Sequence, residues 1–171
     1  MKRKKILLLA DDLRMSSGVA TMSAEIVRQT IHEFDWVQLG GAIDHPEKGK
    51  EIDLSDAVMK DWGTTKREDG TKPYLKIYPV AGYGSQPLVR MLLGKEKPDA
   101  IMIYTDPRFW DWLFHMEHEI RQNIPIFYYN IWDDLPDPQY NVNYYRSSDL
   151  LMSISKQTYG INNRLLPDYE D

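Results

Sequence analysis

Apolar and polar positions alternate along this chain in a regular rhythm of short buried runs and longer amphipathic ones. Ile6 to Ala10 is a continuous apolar run, and residues 4 to 10 read as a buried strand. Residues 18 to 34 carry a helical stripe, with Val19, Met22, Ile26 and Thr30 in line and Val27, Ile31 and Phe34 beside it. Asp35 to Gly40 follows as a second strand, and a turn-rich connection begins at Gly40-Gly41. Over residues 56 to 80 the pattern allows a small β-hairpin insertion, with strands at Ala57 to Trp62 and Tyr74 to Val80. Gln86 to Glu96 reads as a helix that Pro98-Asp99 stops, and Ala100 to Tyr104 is the next strand.

The sharpest periodicity lies just beyond. Phe109, Trp112, Leu113, Met116 and Ile120 fall at offsets of 0, 3, 4, 7 and 11, with Asp106 as N-cap and Pro107 in the first helical position. Ile126 to Tyr129 is a strand, Tyr140 to Arg146 a short helix, Leu150 to Ile154 a last strand, and Ser155 caps a last helix running to Leu166. Strands alternating with helices predict one α/β domain over residues 1–171, a Rossmann-like three-layer sandwich with a mostly parallel twisted sheet and helices on both faces.

Composition narrows the function classes. The chain has 42% hydrophobic and 27% charged residues, ordinary for a folded globular protein. Its 21 basic residues against 26 acidic ones leave a net charge of -5, which argues against a general nucleic-acid binder. Cysteine is absent, so disulfides, thiol nucleophiles and cysteine metal sites are excluded, and a reducing, cytoplasmic setting fits. The basic lead Met1 to Lys5 precedes only five apolar residues before Asp11-Asp12, too few for a signal peptide. No apolar run approaches the ~20 residues of a membrane span.

The candidate chemistry sits at strand ends, where parallel α/β sheets bind ligands. Ser16-Ser17-Gly18 opens the first helix; its backbone N–H groups suit a phosphate or other ligand, and Ser17 equally suits a plain helix cap. Of Asp11 and Asp12, one is expected to face the cleft and the other to satisfy loop backbone; Asp12 is taken as the ligand residue. An acidic pair there also occurs in receiver domains, but the next strand-end aspartate is as distant as Asp106. Asp106 is the one candidate catalytic base, in competition with its role as cap, and Arg108 suits a phosphate or carboxylate or else solvent. Asn130, Trp132, Asp133 and Asp134 combine an amide, an indole and two carboxylates, a set suited to polyhydroxylated ligands. His115 and His118 lie three apart near Glu119 without zincin spacing, and no metal site is assigned.

Taken in order, several segments resemble a known family. They are Lys5 to Asp12 leading to Ser16-Ser17-Gly18-Val19-Ala20-Thr21, then Lys97 to Ile101, Ile126 to Asp134, and Ser148 to Thr158. Across nearly the full length the chain resembles the N-terminal domain of a GT-B glycosyltransferase of family 4, particularly its phage-encoded members. The resemblance implies transfer of a sugar from a nucleotide-sugar to an acceptor, with the first loop around Ser17-Gly18 near the donor's phosphates or its sugar. It implies no metal or other cofactor beyond the nucleotide-sugar substrate. Two departures stand out: Thr105-Asp106 occupies the place where many relatives have histidine, and the second, donor-binding domain with its paired glutamates has no counterpart before Asp171. The expectation is a half that does not turn over alone, needs that domain or a partner chain, and self-associates weakly. The alternative is a non-enzymatic nucleotide-, sugar- or protein-binding module.

Overall fold

The computed structural model describes residues 3–169, so Met1-Lys2 of the basic lead and the terminal Glu170-Asp171 lie outside the described residues. Strand β1 (Lys5–Asp11) leads into helix α1 (Gly18–Thr30), then β2 (Asp35–Gly41), a two-residue β3 (Ile52–Asp53), α2 (Ser55–Asp61) and β4 (Leu75–Pro79). Helix α3 (Gln86–Glu96) crosses to β5 (Ala100–Tyr104), followed by a 3-10 turn (Pro107–Trp110), α4 (Asp111–Phe114) and α5 (Glu117–Arg121). The chain closes through β6 (Ile126–Asn130), a 3-10 turn (Gln139–Asn141), α6 (Val142–Arg146), β7 (Leu150–Ser153) and α7 (Lys156–Leu165).

The seven strands lie in the order β3-β4-β2-β1-β5-β6-β7. Every pair is parallel except β3 with β4. The six parallel strands therefore run third, second, first, fourth, fifth, sixth, the doubly wound order in which the direction of strand addition reverses between β1 and β5. In sheets of this order ligands bind beyond the carboxyl ends of the strands at the switch point.

Strand β1 shows why both faces of the sheet need covering. Leu7 and Leu9 pack into one apolar cluster with Val89, Leu92, Leu113, Ile161 and Leu165 from α3, α4 and α7. Leu8 and Ala10 point the other way, into a cluster with Val27 of α1 and Val58 of α2. Two helix layers thus enclose the sheet. The second layer reaches less far: Phe127, Tyr129 and Met152 of β6 and β7 are only partly buried.

Three expectations need correction. The hairpin over 56–80 is absent: residues 55 to 61 are helical and β4 pairs in parallel with β2. Leu54, Val58 and Trp62, four apart, pack on the same cluster, so a helical period hides inside a run that reads as continuous. The first helix stops at Thr30 rather than Phe34. Buried Arg67 ends it, its guanidinium donating to the carbonyls of Ile31 (2.7 and 3.1 Å) and Phe34 (2.7 Å). The helix beginning at Pro107 is broken into three pieces. Its opening turn is 3-10, with 3.0 residues per turn, and this shifts the phase. Trp110 becomes fully buried, while Phe109, first in the expected stripe, is 46% exposed.

Candidate functional site

The end of β1 is closed by its own side chains. Asp12 is 1% exposed, and Arg14 donates to it from its backbone N–H (2.9 Å), Nε (2.9 Å) and a terminal nitrogen (2.7 Å). Burial pushes the Asp12 carboxyl up, but the Arg14 hydrogen bonds carry it below its ordinary value. The carboxylate packs on Gly40, where a Cβ would come within 2.8 Å of its Oδ2. Gln38, wholly buried in β2, donates to the Asp11 carbonyl (2.7 Å) and accepts from the Leu13 N–H (3.0 Å).

Asp11 is the member of the pair that meets the helix. It accepts from the Ser17 hydroxyl (2.9 Å) and from Tyr83 Oη (3.3 Å), and Ser17 Oγ in turn accepts the Ala20 N–H (3.0 Å). Ser17 is therefore the N-cap of α1. Ser16 and Gly18 are exposed beside it. Gly18 has no positive φ, and a Cβ built on it meets nothing within 4 Å. Neither backbone conformation nor packing requires glycine at that position.

The end of β5 repeats the Asp-x-Arg arrangement of β1. Asp106 caps the 3-10 turn by accepting the Arg108 N–H (2.9 Å), while Arg108 Nε (2.9 and 3.1 Å) and a terminal nitrogen (2.5 Å) grip the same carboxylate. Burial raises the Asp106 carboxyl, and its bonds from Arg108 more than reverse this, leaving it lowered. A carboxylate so held is a poor proton acceptor near neutrality. Thr105, immediately before it, has φ +107, a conformation that a β-branched side chain rarely adopts and that costs about 1–3 kcal/mol. Its carbonyl accepts Tyr128 Oη at 2.6 Å.

Between β5 and β6 opens a cleft of ≈ 250 Å³ lined by Thr105, Asp106, Tyr128, Asn130 and residues 131 to 134. Asn130 is 1% exposed; it accepts the Trp132 N–H (3.1 Å) and donates to Asn162 Oδ1 (2.7 Å). Asp133 and Asp134 are exposed. The Arg108 guanidinium lies 6.0 Å from the Trp132 ring centroid and 5.4 Å from that of Tyr140.

The structure thus gathers the sequence candidates into two neighbouring groups. Ser16, Ser17 and Gly18 stand at the switch point, and Asp106, Arg108, Asn130, Trp132, Asp133 and Asp134 surround the β5–β6 cleft. Asp12 lies behind both, taken up by Arg14. The two histidines face different partners, His115 toward Asp111 (3.3 Å) and His118 toward Glu117 (3.3 Å), while Glu119 binds Arg90. Among the described residues no three metal-binding side chains cluster.

Tyr83 and Tyr140 escaped the sequence reading. Tyr83 stacks on Phe109 at 4.5 Å and 9° and lies edge-on to Trp110 at 5.1 Å. Burial, with the Asp11 carboxylate beside it, pushes the Tyr83 phenol up to about 12. Gly82 and Gly84, both at positive φ, turn the chain around it, and Gly41 leaves room for its ring. Gly82-Tyr83-Gly84 following a strand was the available signal.

No known family model matches this chain, and no curated protein matches it. No helix among the described residues is long and apolar enough to cross a membrane.

Proposed function

We propose that this chain is the acceptor-side Rossmann-like domain of a cytoplasmic glycosyltransferase, which moves a sugar from a nucleotide-sugar to an acceptor. In that reaction the bond from the anomeric carbon to the donor phosphate breaks. A bond to an acceptor oxygen forms, the hydroxyl proton leaves, and the nucleotide departs with its phosphate.

The observation that carries the reading is Gly18. It opens a helix at the switch point, where no fold requirement calls for glycine, so backbone exposed to an approaching ligand accounts for it. The Asp11 carboxylate already stands at that helix end. Like charge disfavours a phosphate there, so the Ser17–Gly18 corner suits hydroxyls of the transferred sugar, and the phosphates belong to a second α/β domain or partner chain.

Titration of the chain with a panel of UDP-, GDP-, ADP- and CMP-sugars, followed by backbone NMR, tests this. At least one sugar should shift Gly18 and its neighbours, and Gly18→Val should weaken binding at least tenfold with the fold intact. Failure of the whole panel, or binding unaffected by Gly18→Val, overturns the reading. Nucleotide release by this chain alone should stay at background, and robust turnover would refute the two-part site.

A non-catalytic binding module is the second reading, and one observation favours it. The carboxylates of Asp11, Asp12 and Asp106 are each engaged by partners within the chain, so none stands ready as a base. Absence of turnover after addition of a donor-binding domain would select it.

A further inference from the structure

We infer that the β5–β6 cleft binds a carbohydrate ring carrying no negative charge. As acceptor site it rests on the transferase proposed above; as a carbohydrate site it stands without it.

The cleft is built in advance. Trp132 is pinned at three points: its N–H on Asn130, its indole N–H on the Asp134 carbonyl (3.1 Å), and its carbonyl on the Thr158 hydroxyl (2.9 Å). The Asp133 carbonyl accepts the Gln157 amide (2.6 Å). The start of α7 therefore holds residues 132 to 133 from behind, and the carboxylates of Asp133 and Asp134 stay at the surface. A loop ordered before binding loses little entropy when a ligand arrives.

The chemistry offered is specific. An indole presents an apolar face to ring C–H groups, and carboxylates accept hydrogen bonds from hydroxyls. The cleft of ≈ 250 Å³ is open to solvent and has room for one ring, with the rest of a longer ligand lying outside.

Charge selects among carbohydrates. Asp106, Asp133 and Asp134 place three carboxylates on the cleft lining, which holds no lysine or arginine, and Arg108 beside it is already bidentate on Asp106. A phosphate or uronate would enter a field of its own sign without a free cation to meet it. Neutral sugars are favoured over their phosphates on that ground.

The test titrates the whole chain with glucose, mannose, galactose and N-acetylglucosamine, and with the 6-phosphates of the three hexoses, reading the tryptophan indole N–H signals by NMR. At least one neutral sugar should give a saturable shift of the Trp132 signal, with its 6-phosphate at least tenfold weaker. Trp132→Ala should abolish the binding. Because Trp132 also packs on the core, Asp133→Asn with Asp134→Asn provides an exposed, fold-neutral check. This pair should weaken the neutral sugar about tenfold and narrow the gap to its phosphate. No neutral sugar bound, equal or tighter binding of the phosphates, or no response to the asparagine pair overturns the inference. Nucleotide-sugar binding at Gly18 that persists in that event leaves the transferase reading standing. Neutral-sugar binding without any nucleotide-sugar binding does the reverse.

Discussion

The tripeptide Asp-Asp-Leu occurs twice at the exit of a parallel strand, at Asp11-Asp12-Leu13 and Asp133-Asp134-Leu135, and the two copies meet opposite fates. The first pair is buried, 7% and 1% exposed, with both carboxylates hydrogen-bonded, Asp11 to Ser17 and Tyr83 and Asp12 to Arg14. The second pair is exposed on a loop whose backbone is tied down; among the described residues Asp134 Oδ1 accepts only the Leu135 N–H (2.8 Å), and neither carboxylate meets a cation. The difference lies in what surrounds them. Arg14, Ser17 and the missing side chain of Gly40 make burial of the first pair affordable, whereas Leu135-Pro136 offers the second no cation. A buried charge must be paired, so the first copy is structure; an exposed, unneutralised pair beside a fixed indole is free for a ligand.

Several substitutions break or sharpen that contrast. The largest effect belongs to Asp12→Ala, which removes a buried carboxylate and its three hydrogen bonds from Arg14 and should lower unfolding free energy by about 2.5 kcal/mol in urea denaturation. The same pair sets an acid limb. The Asp12 carboxyl is lower in the folded chain than its unfolded value of about 3.9, so its contribution is complete above that pH and is lost as pH falls through the folded value. Arg14→Gln should flatten stability against pH below about 4. Gly40→Ala comes next: its Cβ would press on Asp12 Oδ2 and cost about 2 kcal/mol, measurable as a lower thermal midpoint. Ser17→Ala removes the cap of α1 and the Asp11 contact, for about 1 kcal/mol.

Gly18→Ala should move the other way, stabilising the fold by about 0.5 kcal/mol while weakening sugar binding; loss of stability would mean glycine serves the fold after all. Smallest of all, Asp133→Ala and Asp134→Ala should each stay within about 0.5 kcal/mol of the parent. A cost near that of Asp12→Ala would erase the distinction between the two copies.

The Asp-x-Arg pairs at the ends of β1 and β5 sharpen it further. Asp12 and Arg14 serve a buried corner, while the same geometry in Asp106 and Arg108 opens onto the cleft and lends its guanidinium to Trp132 and Tyr140. Sequence spacing made both visible as local motifs. It did not reveal that one carboxylate is buried, with its arginine reaching on to Glu47, and that the other lies at the cleft with its arginine over two rings.

The alternation of buried runs and amphipathic stripes determined the α/β class, the strands at Ile6, Ala100 and Ile126, and the caps Ser17, Asp106 and Ser155, because each depends on residues within a turn or two. Local pattern failed where distant groups intervened: Arg67 ending α1, the 3-10 turn rotating Phe109 outward, and the helix hidden at Leu54, Val58 and Trp62. Tertiary structure alone decided that β1 and β5 adjoin, that Tyr83 reaches Asp11 across 72 positions, and that identical Asp-Asp-Leu segments become core in one place and surface in the other. Burial and pairing of charge are properties of the assembled surroundings, and no window of sequence contains them.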